Sequence, residues 1–123
     1  MNEKQIQAHV IDRWRKTGKP GTLVAAIPNA RAFGQPGLTK GLPDLICIGP
    51  EIGVAFLELK TPKGRISKHQ AAFIDLCHST NIHATVARGI DEAVTTLERW
   101  GIVKGAANPE TPDFNAMFRG VSP

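Results

Sequence analysis

GLPDLICIGPEIGVAFLELK, residues 41–60, decides the fold of this chain. Its two apolar runs, Asp44 to Ile48 and Val54 to Lys60, flank the turn-like segment Gly49 to Gly53, and a hairpin is the simplest connection between them. The runs are nearly continuously apolar, a density that predicts burial on both faces of a sheet covered by helices. Charge interrupts them at one end. Glu58 and Lys60 lie two residues apart and emerge from the same face of the second strand, while Leu57 and Leu59 point to the other. Asp44, directly after Pro43, brings a second carboxylate to that spot if the register is favourable.

Working outward, Asn2 and Gln5 have capping-box spacing, and Ile6, Val10, Ile11 and Trp14 form the apolar stripe of a first helix that Gly18 and Pro20 stop. Thr22 to Ile27 reads as a strand. The stretch from Asn29 to Pro43 is rich in Gly and Pro, carries Arg31 and Lys40, and reads as a long loop. Ser67 and Gln70 repeat the capping-box spacing and open a helix whose Phe73, Ile74, Leu76 and Cys77 are expected to face inward. Ile82 to Ala87 is a fourth strand. Asp91 is expected to cap a last helix carrying Ala93, Val94, Leu97 and Trp100, which Gly101 ends. The expected order is α-β-β-β-α-β-α, an α/β domain over residues 1–101. Residues 102–123 form a tail, loose or docked through Phe114, Met117 and Phe118.

Composition bounds the function. The 123 residues, 41% hydrophobic and 21% charged, fit one ordinary soluble domain and exclude disordered, collagenous and membrane-spanning classes. Met1 to Lys19 has no apolar signal segment, so a cytoplasmic location is expected, and the two cysteines, Cys47 and Cys77, read as buried reduced thiols. The net charge of +4 is uneven: residues 1–68 hold 11 of the 15 cations and 5 of the 11 anions, a balance of +6 against −2 for the rest. A basic face of that kind suits a polyanion, although solvated surfaces look similar. Lys63, Arg65 and Lys68 directly follow the charged strand end and are the stronger candidates for phosphate contact. Arg31 and Lys40 can reach along a duplex from the long loop. Arg13, Arg15 and Lys16 read first as the solvated side of the first helix. His9, His69, His78 and His83 lack zinc spacing, and with no tyrosine and 6% aromatics a base-stacking platform is not indicated.

Two carboxylates on rigid strands suit a hard divalent cation such as Mg²⁺, and a neighbouring lysine can orient an attacking water and offset charge on a phosphodiester transition state. A structural ion pair of Lys60 with Glu58 or Asp44 is the competing reading, since Glu-x-Lys alone is common.

The residues Gly41-Leu42-Pro43-Asp44-Leu45, Phe56-Leu57-Glu58-Leu59-Lys60 and Gly64-Arg65-Ile66-Ser67 with Gln70 resemble the virus-type replication-repair nuclease (VRR-NUC) domain, a branch of the PD-(D/E)xK superfamily. The resemblance runs from Glu3 to about Leu97. It implies a restriction-endonuclease-like core with a central mixed sheet, Asp44 and Glu58 as ligands of Mg²⁺ or Mn²⁺ with the Leu59 carbonyl, and Lys60 assisting the nucleophilic water. It also implies roles for Gln70, ordering water or substrate, and for Glu3 on the first helix, which the helix dipole favours there in any case. Short stand-alone members, often phage-encoded, resemble homodimeric Holliday-junction resolvases of DNA repair. The expected function is therefore a structure-selective DNA endonuclease in a bacterial or phage-infected cell, acting on branched or duplex DNA. A flap or nick nuclease, and a non-catalytic DNA-binding module on the same fold, are the alternatives.

Overall fold

A computed structural model describes residues 1–28 and 35–105. Seven elements follow the expected order: α1 (Glu3–Thr17), β1 (Leu23–Ala26), β2 (Leu45–Gly49), β3 (Gly53–Lys60), α2 (Lys68–Ser79), β4 (His83–Arg88) and α3 (Ile90–Arg99). Arg31 and the apolar tail residues Phe114, Met117 and Phe118 lie outside the described residues.

The four strands form one sheet in the order β1-β2-β3-β4. β1, β2 and β3 are antiparallel neighbours, while β4 returns through α2 to lie parallel to β3, which makes the sheet mixed. Three helices flank it, as in a restriction-endonuclease-like core. Ala55, Leu57 and Leu59 of β3 join Leu45 and Cys47 of β2 and Ala87 of β4 on one face, where Ile6 and Val10 of α1 and Ala93 and Leu97 of α3 cover them. Fully burying an aliphatic side chain of this kind stabilises by about 1.5–3 kcal/mol, so this layer carries most of the fold's hydrophobic energy. Among the described residues no helix is long and apolar enough to cross a membrane.

The opposite face is covered on one side only. α2 packs over β4, and the Phe73 ring meets Phe56 edge-on with centroids 5.2 Å apart. Leu23, Ile48 and Val54 are cross-strand neighbours on this face and stay exposed. The expected double-sided burial of the hairpin thus holds toward α1 and α3 and fails away from α2. Leu76 is likewise 60% exposed rather than inward, because Phe73 and Cys77, four residues apart, set the buried stripe and leave Leu76 off it.

Both capping boxes form, Asn2 with Gln5 and Ser67 with Gln70. The third helix departs from expectation: its N-cap is Gly89, at φ 89°, with no side-chain cap, and Asp91 sits inside the first turn. Glu92 there accepts a 2.6 Å hydrogen bond from the Arg88 amide, satisfying the strand end instead. Beyond Gly101, Ile102 and Val103 are fully buried, and Lys19 and Lys104 donate backbone bonds to Ile102 and Thr17 respectively. The packed core therefore extends two residues past Gly101. Cys47 and Cys77 are both buried and free, and burial pushes the Cys47 thiol up to about 12.

Candidate active site

The β2–β3 register pairs Leu45 with Leu57. One step further along an antiparallel pair, position 44 faces position 58, so the two carboxylates meet where the hairpin opens. Asp44 is fixed there by the backbone: its Oδ2 accepts a 2.7 Å hydrogen bond from the Leu59 amide. Glu58 is 3% exposed. Its Oε1 accepts from Gln70 Nε2 at 2.9 Å, and its Oε2 is buried with no hydrogen-bond partner among the described residues. Lys60 Nζ lies 3.8 Å from Glu58 Oε1 and 3.4 Å from Glu3 Oε1. Asp44, Glu58, Lys60, Gln70 and Glu3 thus come together; of the Lys60 ion pairs weighed in the sequence, that to Glu58 is present, none to Asp44 forms among the described residues, and Lys60 pairs with Glu3 as well.

This arrangement concentrates negative charge. Burial, then the Asp44 charge and the hydrogen bond to Asp44 that a protonated Glu58 gains, push the Glu58 carboxyl from 4.5 up to about 8, only partly offset by Lys60. A proton on Glu58 relieves the repulsion and supplies the donor that two facing carboxylates lack. A cation does the same. An orphaned buried carboxylate oxygen beside a second carboxylate is a hard, anionic oxygen donor set, so these residues fit Mg²⁺ or Mn²⁺. Among the described residues no group of three or more His, Cys, Asp or Glu side chains converges on one point, so water, substrate or backbone oxygens must complete any such coordination.

Gln70 holds the site through the start of α2. Its Oε1 accepts from the Ser67 amide at 2.8 Å while its Nε2 reaches Glu58, so one amide group closes the capping box and orients the buried carboxylate. The loop leading to Asp44 rests on the same helix turn. Gly41, at φ 86°, approaches the His69 backbone so closely that a Cβ would overlap it. Only glycine satisfies both the close approach and that backbone conformation. Between these elements lies a cleft of about 280 Å³, lined by Lys40, Asp44, Ser67, His69 and Gln70. Lys63, Arg65 and Lys68 are exposed on the segment between β3 and the first turn of α2, and no ion pair engages them among the described residues.

Two features escaped the sequence. One is the contact of Gly41 with His69. The other is Arg88, which pairs with Lys60 in the parallel register and is exposed at the end of β4. Its only sequence signal is a charge closing an apolar strand just before a glycine.

The VRR-NUC domain family matches residues 1–91. This chain belongs to the VRR-NUC domain family. A solved "VRR_NUC domain protein" superposes with a TM-score of 0.71 at 22% identity, covering 81% of this chain and 88% of the other. A second structure, a "VRR_NUC domain", gives 0.59 at 21% identity over 78% of this chain and 94% of its own. Both likenesses concern the fold. Among curated proteins nothing matches. VRR-NUC membership makes this a nuclease-type domain, which points to DNA as substrate.

Proposed function

We propose that this VRR-NUC chain is a metal-dependent, structure-selective DNA endonuclease that works as a homodimer on four-way junctions. The observation that carries the reading is the pair of facing carboxylates, Asp44 pinned by the Leu59 amide and Glu58 buried with one oxygen unpartnered. Asp44 and Glu58, with the Leu59 carbonyl, would hold Mg²⁺ or Mn²⁺. When bound, the cation supplies Lewis-acid polarisation of the scissile phosphate.

The chain's own residues do the rest. Lys60, its side chain 12% exposed and already seated between two carboxylates, presents its ammonium to the attacking water and to the charge that builds on the phosphate oxygens. Glu3 holds that ammonium from the side of α1. Gln70 keeps Glu58 in its rotamer, and the cleft bounded by Lys40 and Gln70 admits the phosphodiester from the α2 side. Lys63, Arg65 and Lys68, with Lys40, grip the DNA backbone without reading sequence. Symmetric cutting of a four-way junction needs two equivalent sites, which a twofold dimer provides.

The test is incision of labelled four-way junction, flap and linear duplex in Mg²⁺ or Mn²⁺, with and without chelator. Junction-selective cutting that chelation abolishes, and that Asp44→Ala and Glu58→Ala lose while still binding, is expected. Full activity in Glu58→Ala removes the site assignment; flap-selective cutting by a monomer in sedimentation replaces the resolvase reading with a flap nuclease.

A further inference from the structure

We propose that the cavity beyond the ends of β3 and β4 is a pocket for one unpaired nucleotide of branched DNA. The proposal rests on the nuclease reading above, not on its four-way geometry, and adds a further substrate feature: an unpaired nucleotide at the branch, which a fully paired junction presents only when its centre opens. The cavity measures about 460 Å³ and is lined by Met1 and Ile6 of the α1 region, Pro62 after β3, and Arg88, Gly89 and Ile90 at the β4–α3 junction.

Its position ties it to the chemistry. The Gly89 amide donates a 2.9 Å bond to the Lys60 carbonyl, and Arg88 is the register partner of Lys60. Ile6 follows Glu3 by about one helical turn, and the Glu3 carboxylate lies 3.4 Å from Lys60 Nζ. The cleft holding Asp44 and Gln70 opens on the α2 side, whereas this cavity is walled by α1 and α3 residues. Lys60 is tied to both, to Glu58 through its ammonium and to Gly89 through its backbone carbonyl. In the proposed complex, a strand whose phosphate sits at Asp44 and Glu58 would place a neighbouring nucleotide at the second cavity.

The lining selects what enters. The side chains of Met1, Ile6, Pro62 and Ile90 offer no hydrogen-bond donors and favour a flat apolar surface over phosphate or sugar. Asp91 and Glu92 also line the cavity, and a carboxylate there accepts from an exocyclic amino group of a base. One Glu92 oxygen is already engaged by the Arg88 amide, which leaves Asp91 as the freer acceptor. Arg88 is exposed and has no ion pair among the described residues, so its guanidinium is available to the phosphate of the same nucleotide. A paired base enters only by unpairing and unstacking, so the pocket favours DNA that already presents an unpaired nucleotide at a branch. One aliphatic slot of this kind is compatible with a chain that has no tyrosine.

The experiment measures binding of the full chain, by fluorescence anisotropy in chelator, to branched DNAs with one unpaired nucleotide walked across the branch point. Each is made base-bearing and abasic, with linear duplex as reference. At one position the abasic site should weaken binding about 5- to 10-fold, the lower part of the range that stacking of a single base supplies. Ile90→Trp, which fills the cavity, should erase that difference. Asp91→Ala, at an exposed position, removes the acceptor and should erase the preference for adenine or cytosine over thymine at the same position. Equal affinity for abasic and base-bearing DNA at every position, or base sensitivity retained in both variants, overturns the pocket. If the wild-type chain cuts branched DNA without base sensitivity, the pocket falls and the nuclease reading stands. If it neither binds nor cuts branched DNA, both fall.

Discussion

Replacing Glu58 by Gln should abolish incision and yet stabilise the metal-free protein above neutral pH. Glu58 is 3% exposed and its carboxyl is pushed from 4.5 to about 8 in the fold. At about 1.4 kcal/mol per pH unit, holding the ionised form there costs at most about 5 kcal/mol, an upper bound because water entry and rotamer relaxation reduce it. The sign follows from the raised value. The protonated carboxyl contributes stability that is fully present below about 4.5 and is lost as pH rises through about 8. Gln keeps the carbonyl that accepts from Gln70 and offers an amide donor toward Asp44, without ionising. Urea unfolding in chelator from pH 5 to pH 9 should therefore show the wild type losing stability relative to Glu58→Gln across this window, by at least about 1 kcal/mol at the upper end. Added Mn²⁺ should reverse the ranking, stabilising the wild type through the ionised carboxylate and leaving the variant little changed. A Glu58→Gln protein that is less stable than wild type at pH 9 without metal would refute the account of Glu58 as a carboxylate held against its own repulsion.

Lys60→Ala should slow single-turnover cleavage by at least about 100-fold while shifting DNA affinity little, and an unchanged rate contradicts its place beside the reacting phosphate. Gly41→Ala should cost about 1–3 kcal/mol in chemical denaturation and depress activity, since it forces a Cβ into the His69 backbone at positive φ; a neutral effect on both means that the close approach is not needed. Neutralising Arg65 and Lys68 together should weaken binding to all DNA sequences alike and lower the salt slope of log K by about 2, which titrations at several salt concentrations measure. Cys47, buried and with its thiol pushed up to about 12, should resist a thiol reagent in the folded protein and react on unfolding; rapid labelling under native conditions would place it elsewhere.

What the sequence makes legible here is local. The hairpin is readable because Gly49 to Gly53 leaves little freedom in how β2 and β3 pair, and that pairing sets Asp44 against Glu58. Ser67 and Gln70 announce the start of α2 by spacing alone, and the structure gives the same glutamine a bond to Glu58. Non-local geometry is another matter. The alignment of Lys60 with Arg88 depends on a parallel pairing made through a whole helix, and no period in the chain encodes it. The contact of Gly41 with His69 joins residues 28 positions apart and leaves no trace beyond a glycine. Asp91 misled because a capping residue and a first-turn acid look alike when Gly89 can itself take the cap conformation. The apolar face at Leu23, Ile48 and Val54 misled because strand composition does not say how far one short helix reaches across a sheet.

Gln70 serves two masters, and the cost of that economy falls on anyone who tries to transplant the catalytic strand. Grafting β3 with its Glu58 and Lys60 into another scaffold carries the charges but not the amide that orients them, since that amide belongs to the opening turn of α2. Fraying of that turn and misalignment of the carboxylate are one event. Damage at Ser67 should therefore not add to damage at Gln70, and the smallest portable unit of this site is the strand together with the helix start that follows it.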